Sequence, residues 1–290
     1  MRQPILATGL SGLVGSRIQE LLEDRFDFTD LSLTSGVDIT DSESVEKHIQ
    51  NSEAKIILHM AAKTDVDGCE EDKILGEEGA AWLVNVVGTE NIVDSAQKTG
   101  KKVIYISTDF VFDGTKESYR EEDEPNPVNW YGYTKYEGEQ LVSRLGASGA
   151  IVRIAYPYRA EYTPKKDFLR RILEKLRNGE QLQGVTDHIF TPTFIDDIAQ
   201  ALLVLFQKDI TGIYHVVGSQ SLSVYAAIAR IADIFGFEND IQAVTREKYF
   251  RQKAFRPSKL ALKNDRIGKL GVKMKTFEEG LLEIKRHVSI

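Results

Sequence analysis

The chain of 290 residues is poor in several features that mark particular classes of protein. Its one cysteine, Cys69, excludes an internal disulfide framework and is typical of a reducing cytosol. No apolar run approaches the roughly 20 residues of a membrane-spanning helix, and the first residues lack a signal-like apolar stretch, so we expect a cytoplasmic protein without membrane contact. The five histidines lack metal-ligand spacing and no Gly-x-Ser-x-Gly occurs, so we predict neither a metal site nor a serine nucleophile.

Charge is unevenly distributed along the chain. There are 37 Lys and Arg residues against 44 Asp and Glu residues, and this net charge of −7 argues against a nucleic-acid partner. Residues 246–275, however, contain eleven basic and two acidic residues, a net charge of +9, which leaves −16 for the other residues. The basic segment suits an anionic ligand, although we expect most of its charges to lie on the solvated surface.

Strand-like and helix-like segments alternate through the first half of the chain. Continuous apolar runs predict buried strands at residues 4–8, 26–33, 55–60, 102–107 and 150–154. Apolar residues at helical spacing predict helices at residues 14–22, 42–50, 82–96 and 131–145. Strands that are apolar throughout, rather than at alternate positions, indicate a parallel sheet covered on both faces.

The alternation weakens after Ala155. There the sequence predicts a strand at residues 212–217 and helices at 168–176, 195–206, 224–235 and 277–284. We therefore predict an α/β fold, a Rossmann-type doubly wound parallel sheet with a smaller C-terminal substrate-binding lobe. The expected division is a sheet domain of residues 1–155 plus about 191–217, and a lobe of residues 156–190 and 218–290.

A glycine-rich turn follows the first predicted strand. Gly9, Gly12 and Gly15 open the first predicted helix, and without side chains they let the backbone approach a pyrophosphate. The N–H groups and positive dipole end of the helix then point at the anion. The spacing is Gly-x-x-Gly-x-x-Gly rather than the commoner Gly-x-Gly-x-x-Gly, so the alternative is a tight turn without a ligand. The position after the first strand favours dinucleotide binding.

The choice between NAD(H) and NADP(H) depends on where the second strand ends. An acid at that point holds the ribose 2′-hydroxyl of NAD and repels the 2′-phosphate of NADP. No acid follows directly if the strand ends near Leu33, whereas Asp30 serves if it ends earlier. Both cofactors stay open, with a slight preference for NADP(H) or dual use. Asp38 is placed either to contact the adenine or to cap the next helix.

The sequence holds three Tyr-x-x-x-Lys pairs, which are Tyr131/Lys135, Tyr162/Lys166 and Tyr249/Lys253. Only Tyr131 begins a predicted helix after a buried strand, with Lys135 one turn on and Thr108 at the end of that strand. A lysine and an oxidised nicotinamide lower the pKa of tyrosine from about 10, so the phenol can exchange a proton with a carbonyl oxygen. Thr108 is expected to hydrogen-bond that oxygen, and Lys135 to bind the nicotinamide ribose.

Longer stretches resemble the extended short-chain dehydrogenases/reductases (SDR family), specifically the dTDP-4-dehydrorhamnose reductase-like branch. The stretches are TGLSGLVG (8–15), VDIT (37–40), HMAAKTDVDGCE (59–70), Asn85 in LVNVVGTENI, STDFVFDG (107–114), EEDEPNPVNWYGYTKYEGE (121–139), TDHIFTPTFIDDIA (186–199) and GIYHVVG (212–218). STDFVFDG and PNPVNWYGYTKYEGE are more specific than the glycines. The resemblance implies NAD(P)H-dependent reduction of a 4-keto nucleotide sugar, with hydride from the nicotinamide and a proton from Tyr131.

The resemblance also implies roles for individual residues. The catalytic residues would be Thr108, Tyr131 and Lys135. The cofactor-binding residues would be Gly9, Leu10, Ser11, Gly12, Leu13, Val14, Gly15, Asp38, Ile39, Ala61, Ala62, Thr64, Ser107, Tyr131, Lys135 and Tyr156. The substrate-binding residues would be Val66, Thr108, Asp109, Tyr131 and Arg256. Some members hold magnesium with acids near residues 66–70; Glu70 matches, but one carboxylate does not define a magnesium site.

Two departures from the family pattern lie on the substrate side. Residues 153–158 read RIAYPY where the family commonly has RTSWVY, and residues 256–260 read RPSKL without the family's following Asp. One alternative is therefore a nucleotide-sugar epimerase or dehydratase, and another is a non-catalytic regulatory subunit similar to the β subunit of methionine adenosyltransferase. The complete Thr, Tyr and Lys set favours catalysis. We expect the basic segment to face the sugar diphosphate, and keep a homodimer open.

Overall fold

The computed structural model describes residues 2–159, 166–208, 210–238 and 240–287. The elements of the first half are β1 (Gln3–Thr8), α1 (Leu13–Leu22), β2 (Phe26–Asp30), α2 (Ser42–Gln50), β3 (Ile56–His59), α3 (Val66–Asp72), α4 (Ala80–Trp82), α5 (Gly88–Thr99), β4 (Lys102–Thr108), α6 (Trp130–Ser143) and β5 (Gly149–Ile154). Those of the second half are β6 (Pro157–Tyr158), α7 (Phe168–Arg177), β7 (Leu182–Val185), β8 (Ile189–Phe190), β9 (Thr193–Phe194), α8 (Ile195–Gln207), β10 (Gly212–His215), β11 (Leu222–Ser223), α9 (Val224–Phe235), β12 (Ile241–Val244), α10 (Arg246–Tyr249), α11 (Asp265–Gly268) and α12 (Phe277–His287). No helix among these is long and apolar enough to cross a membrane.

Six parallel strands form the central sheet, in the order β2-β1-β3-β4-β5-β10. Strand β10 comes from the second half of the chain and pairs with β5, with Tyr214 opposite Val152. The strand order runs in opposite directions on the two sides of β1 and β3, and ligands of open parallel sheets bind at the carboxyl ends near such a switch point. The predicted doubly wound parallel sheet is confirmed.

Apolar layers cover both faces of the sheet. Ile5 of β1 packs in a cluster with Ile18 of α1 and Leu202 of α8. Its neighbour Leu6 packs on the opposite face, in a cluster that includes Ile49 of α2. Because successive residues of a strand point to opposite faces, a strand buried on both sides is apolar throughout, as the sequence shows.

A third apolar cluster forms the core of the smaller lobe. It includes Leu173 of α7, Ile231 of α9 and Leu281 of α12. Two short pairings border it: β12 lies parallel to β7, and β11 lies antiparallel to β8. These strands were not predicted, because a strand of two to four residues is too short to show a hydrophobic period.

The second strand ends earlier than predicted, at Asp30 rather than at Leu33. Hydroxyl groups end it: the Ser35 hydroxyl donates to the Asp30 carbonyl at 2.8 Å, and the Ser32 N–H donates to the Ser35 hydroxyl at 3.0 Å. These bonds close a single 3₁₀ turn at Leu33–Ser35. An acid therefore stands at the carboxyl end of β2.

The predicted helix at residues 82–96 is longer than expected and contains an irregular turn. It runs from α4 through a π-helical turn at Leu83–Val87 into α5, and ends at Thr99 before Gly100. Asn85 lies buried in the π turn, where its Oδ1 accepts from the Lys63 N–H at 2.8 Å and its Nδ2 donates to the Thr134 hydroxyl at 3.0 Å. Such turns commonly occur at functional sites, and this one ties α6 to the loop after β3.

Candidate active site

A cleft of about 1100 Å³ opens at the carboxyl ends of the sheet strands and extends to α7 and the segment around Arg256. Every residue predicted for the site lines this cleft except Leu10, whose side chain is buried in the core. Sequence reasoning missed other lining residues, which are Leu31, Ser32, Leu33, Thr34, Val37, Met60, Asp65, Val84, Ile106, Phe110, Ile154, Pro157, Lys166, Asp167, Phe168 and Arg171. Two of them, Lys166 and Arg171, are basic residues in the first part of the predicted lobe. Their charge was the sequence signal that could have indicated a site for an anionic ligand there.

The glycine-rich turn brings backbone to the floor of the cleft. Gly9 has a φ of 72°, and a Cβ there would lie 2.8 Å from the Ala61 nitrogen. A Cβ on Gly15 would lie 2.3 Å from the Gly9 carbonyl oxygen. Gly12 begins α1 without a side-chain cap, which leaves the first N–H groups of the helix for an anion. The turn therefore fits a dinucleotide pyrophosphate.

Buried hydroxyls hold this turn against β3. The Thr8 Oγ1 accepts from the N–H groups of Met60 and Ala61, both at 3.0 Å, so its own hydrogen donates to His59 Nδ1 at 2.8 Å. The other ring nitrogen, Nε2, then donates to the Thr89 hydroxyl at 3.0 Å. Burial, assisted by the charge of Lys135, lowers the pKa of His59 to about 3. His59 is thus a neutral, fully bonded core residue.

Three acids follow or lie near β2, and each has a different environment. Asp38 is exposed, lines the cleft, and accepts from the Thr40 N–H at 2.9 Å, whereas Asp41 caps α2. Asp30 accepts a hydrogen bond from the Ser32 hydroxyl, and its Oδ1 is buried without a partner. The cleft is lined by Ser32 rather than by Asp30 itself.

Thr108, Tyr131 and Lys135 converge on the same side of the cleft. Thr108 ends β4, and Tyr131 lies in the first turn of α6. Asn129 starts that helix, because its Oδ1 accepts from the Gly132 N–H at 2.8 Å. Lys135, one turn later, donates from Nζ to the Ile106 carbonyl at 2.8 Å and lies 4.0 Å from the centre of the Tyr105 ring.

Burial controls the titration of both catalytic candidates. It raises the pKa of Tyr131, an effect that a hydrogen bond with Thr108 opposes, and this direction is opposite to the lowering expected from the sequence. The expected lowering also relied on an oxidised nicotinamide, whose charge belongs to the cofactor. Burial lowers the pKa of Lys135 to about 7. A phenol that stays protonated at neutral pH is the form that can donate a proton to a carbonyl oxygen.

Asp109 is an acid that lines the cleft although its side chain is buried. The Thr108 hydroxyl donates to its Oδ1 at 3.0 Å, while Oδ2 is buried without a partner. Burial raises the pKa of this carboxyl to about 7. The carboxyl therefore changes charge near neutral pH, beside Tyr131 and Tyr156.

Arg256 connects the lobe with the sheet domain. Its guanidinium bonds Asp67 of α3 and the Ala254 carbonyl, and it stacks 4.9 Å from the centre of the Phe250 ring. Asp67 also accepts from the Ala254 N–H at 3.0 Å. These contacts hold the guanidinium of Arg256, paired with Asp67, at the wall of the cleft.

Of the eleven basic residues in 246–275, only Arg256 lines the cleft. Others are paired on the surface, as Lys273 is with Glu279 at 3.6 Å, or packed elsewhere, as Lys275 is with Asp197 at 2.9 Å. This distribution agrees with the expectation that most charges of the segment lie on the solvated surface, and it leaves Arg256 as the candidate to meet a diphosphate. Among the described residues, the other basic side chains that line the cleft are Lys135, Lys166 and Arg171.

The other sequence candidates do not form sites in the described part of the chain. Tyr162 lies outside the described residues, and Lys253 stacks over Tyr249 at 5.2 Å, away from the cleft. Glu70 accepts from the Trp130 N–H at 2.7 Å, so its carboxylate holds the start of α6. Within the described ranges, no group of three or more His, Cys, Asp or Glu side chains could hold a metal ion.

Comparisons with known proteins agree with this geometry. A model of the family described as "RmlD substrate binding domain" matches residues 1–290. A dTDP-4-dehydrorhamnose reductase from Aggregatibacter actinomycetemcomitans is 33% identical over 237 residues, 79% of this chain and 78% of that protein. The methionine adenosyltransferase 2 subunit beta of Xenopus tropicalis is 29% identical and covers 96% of this chain and 86% of that subunit.

A solved structure is similar over nearly the whole chain. It is the crystal structure of dTDP-4-dehydrorhamnose reductase from Bacillus anthracis in complex with NADP. The TM-score is 0.90, the sequences are 29% identical, and the match covers 99% of this chain and 100% of that one. The similarity therefore includes both the sheet and the lobe.

Proposed function

This chain belongs to the RmlD substrate binding domain family, and from that premise we propose that it is an NAD(P)H-dependent reductase of a 4-keto nucleotide sugar. One observation carries the proposal: a single cleft holds the glycine turn, the Thr108, Tyr131 and Lys135 side chains, and the Arg256 cation. The glycine turn suits the pyrophosphate of a dinucleotide, and a cation suits the diphosphate of a sugar nucleotide.

The chemistry divides between the cofactor and the chain. Bound NADPH or NADH supplies the hydride that reduces the carbonyl carbon. Tyr131 donates its proton to the carbonyl oxygen, since its raised pKa keeps the phenol protonated beforehand. The Thr108 hydroxyl, which donates to Asp109 in this structure, turns toward the same oxygen. Lys135, which lines the same cleft, would bond the nicotinamide ribose.

The two walls of the cleft carry the binding roles. The glycine turn, Asp38 and Ile39, Ser107, and the three residues Ala61, Ala62 and Thr64 hold the dinucleotide, as their place along the cleft supports. Val66, Asp109 and Arg256 hold the sugar nucleotide. The division into a cofactor domain, residues 1–155 with about 191–217, and a lobe of 156–190 and 218–290 is supported by β10 in the sheet and by the separate lobe core. A cytoplasmic location fits this role.

The direct test measures NADPH and NADH oxidation with dTDP-4-keto-6-deoxy-L-mannose as substrate. We expect turnover by the wild type and a loss of at least about 100-fold in kcat for Tyr131→Phe, because only the proton donor is removed. Tyr133→Phe is the matched control, since this tyrosine lies on the same helix but is 38% exposed and stacks on Trp130 outside the cleft. Equal rates in the wild type and Tyr131→Phe would reject the reductase function for this sugar.

A regulatory role is the second candidate, and the similarity to methionine adenosyltransferase 2 subunit beta is the observation behind it. The complete catalytic set in the cleft favours catalysis. A regulatory subunit would copurify with a synthetase and show no dependence on Tyr131. An epimerase would instead retain NAD⁺ through dialysis, because it needs no net supply of hydride.

A further inference from the structure

Tyr156 has a backbone conformation that side chains rarely adopt. Its φ is 41°, the one positive value at a non-glycine residue in the described ranges. Pro157 follows it, and a proline further restricts the residue before it. Strained residues of this kind persist where the surrounding structure holds them and are concentrated at functional sites.

Packing and hydrogen bonds hold Tyr156 in this conformation. Its carbonyl accepts from the Thr193 N–H at 3.2 Å, and its ring lies 4.4 Å from the ring of Phe190. Its hydroxyl lies 2.9 Å from Nε2 of His188, and the side chain lines the cleft. Burial raises the pKa of this hydroxyl, and the nearby charge of Asp109, another residue of the cleft, raises it further. The strain therefore places Tyr156 at the cleft near Asp109, a substrate candidate, although the resemblance implied a cofactor-binding role for this tyrosine.

His188 fixes the direction of the hydrogen bond with Tyr156. The His188 Nδ1 lies 2.8 Å from the Pro257 carbonyl oxygen, which only accepts, so Nδ1 carries a hydrogen. The ring is fully buried, and burial together with the nearby charges of Arg246 and Arg256 lowers the pKa of His188 to about 4. The neutral ring then has a lone pair at Nε2, and the Tyr156 hydroxyl must donate to it.

We propose that the Tyr156 oxygen acts only as a hydrogen-bond acceptor in the sugar subsite, and that it selects a nucleotide sugar with a free ring hydroxyl beside it. The inference rests on the proposed function. The one hydrogen of the phenol is held by His188, so only oxygen lone pairs face a ligand. A sugar hydroxyl can donate to them, whereas a carbonyl, an ether oxygen or a fluorine would leave two acceptors facing each other.

The departure from the family pattern at residues 153–158 changes whether this position offers a hydrogen-bond donor or an acceptor. Tyr156 occupies the place of the Trp in the family's RTSWVY, and an indole N–H can only donate. This chain therefore presents an acceptor where the common pattern presents a donor. The hydroxyl pattern of its preferred sugar is expected to differ accordingly.

The first experiment measures calorimetric binding of dTDP-L-rhamnose and of dTDP alone to the wild type and to Tyr156→Phe. The ring is kept and only the acceptor is lost, so we expect about ten-fold weaker binding of the sugar nucleotide and dTDP binding unchanged within about two-fold. Tyr133→Phe should leave both affinities unchanged. Unchanged affinity for the sugar nucleotide in Tyr156→Phe, or an equal loss for dTDP, would overturn the proposal.

The second experiment replaces a hydrogen-bond donor of the ligand by an acceptor. dTDP-rhamnose analogues with fluorine in place of the 2- or 3-hydroxyl offer an acceptor only. At one of these positions we expect the wild type to bind the analogue at least about ten-fold more weakly than the parent. His188→Leu frees the phenol hydrogen, so the difference should shrink to within about three-fold. A purely structural role of His188 would weaken both ligands equally and keep the ratio.

The third experiment separates this proposal from the proposed function. ¹⁵N NMR of the free protein, with His188→Gln to assign the resonance, reports which ring nitrogen carries the hydrogen. We expect the neutral Nδ1–H form, and an Nε2–H or doubly protonated ring would overturn the proposal whatever the substrate is. Failure of the proposed function would appear elsewhere, as a wild type that does not oxidise NADPH or NADH with the 4-keto sugar.

Discussion

The two walls of the cleft that we propose for the cofactor and for the substrate are built by different means. The cofactor wall is made of backbone: Gly9 and Gly15 leave space that any Cβ would fill, and the Thr8 hydroxyl fastens the turn to β3. The substrate wall is made of side chains held by partners far along the chain. Arg256 reaches Asp67, and Tyr156 reaches His188. The first wall depends on local sequence, and the second depends on tertiary contacts.

This difference explains how the two walls can vary. A pyrophosphate requires free N–H groups and close backbone approach, and few residue types provide both. A sugar is recognised by the direction of single hydrogen bonds, which one substitution can reverse. The departures from the family pattern, at residues 153–158 and 256–260, accordingly lie on the substrate wall.

The largest expected effect breaks the cofactor wall. In Gly15→Ala the new Cβ meets the Gly9 carbonyl oxygen at 2.3 Å, and this contact is with backbone that cannot turn aside. We expect the affinity for NADPH to fall at least about 100-fold, measured by fluorescence titration, while dTDP binding is retained within about three-fold. The retained dTDP affinity shows that the fold persists.

The matched control for that variant is Gly268→Ala. Gly268 ends α11, and a Cβ added there would have no neighbouring atom within 4 Å, so the substitution should leave NADPH affinity unchanged. A Gly15→Ala variant that binds NADPH as tightly as this control would show that the close backbone approach is not needed.

The same division decides what could be predicted from sequence. The sheet strands of the first half, the glycine turn and the Tyr131 helix follow from local runs and spacings, and each occurs within a few residues of its predicted place. The end of β2 was misplaced because the serine hydroxyls that end it bond back to Asp30. The contact of His188 with Tyr156 could not be predicted, because His188 is also held by the Pro257 carbonyl, which is distant in sequence.

The second prediction concerns the substrate wall. Removing the cation with Arg256→Ala should raise the KM for the sugar nucleotide about 10- to 30-fold with little change in the KM for NADPH, because one charge-assisted contact to a phosphate is lost. Lys273→Ala is the control, since Lys273 is 84% exposed and paired with Glu279, and its KM should stay within about two-fold. Equally small changes in the KM for the sugar nucleotide in the two variants would show that Arg256 does not contact the substrate.

The third prediction uses the carboxyl between the two walls. The folded pKa of Asp109 is raised to about 7, above that of an unfolded aspartate, so the stability that this carboxyl contributes is fully present below about pH 4 and is lost as pH rises through about 7. Asp109→Asn is neutral throughout. In urea unfolding, the variant should gain about 4 kcal/mol relative to the wild type between pH 4 and pH 8, because the two pKa values differ by about three and each unit is worth about 1.4 kcal/mol. A difference that does not change with pH would contradict the raised pKa.

The smallest expected effect concerns the cofactor wall, where the side chains at the end of β2 influence the preference between NADPH and NADH. Asp30 ends β2 but does not line the cleft; it acts through the Ser32 hydroxyl, which also bonds the Thr34 hydroxyl at 2.7 Å. Its charge should disfavour the 2′-phosphate of NADPH only weakly across that hydroxyl. Asp30→Asn should therefore raise the ratio of kcat/KM for NADPH to that for NADH about three-fold, with Asp27→Asn, an exposed residue of the same strand, as control. A change above about 100-fold would mean that Asp30 contacts the ribose directly. A single side chain would then determine recognition on the cofactor wall as well.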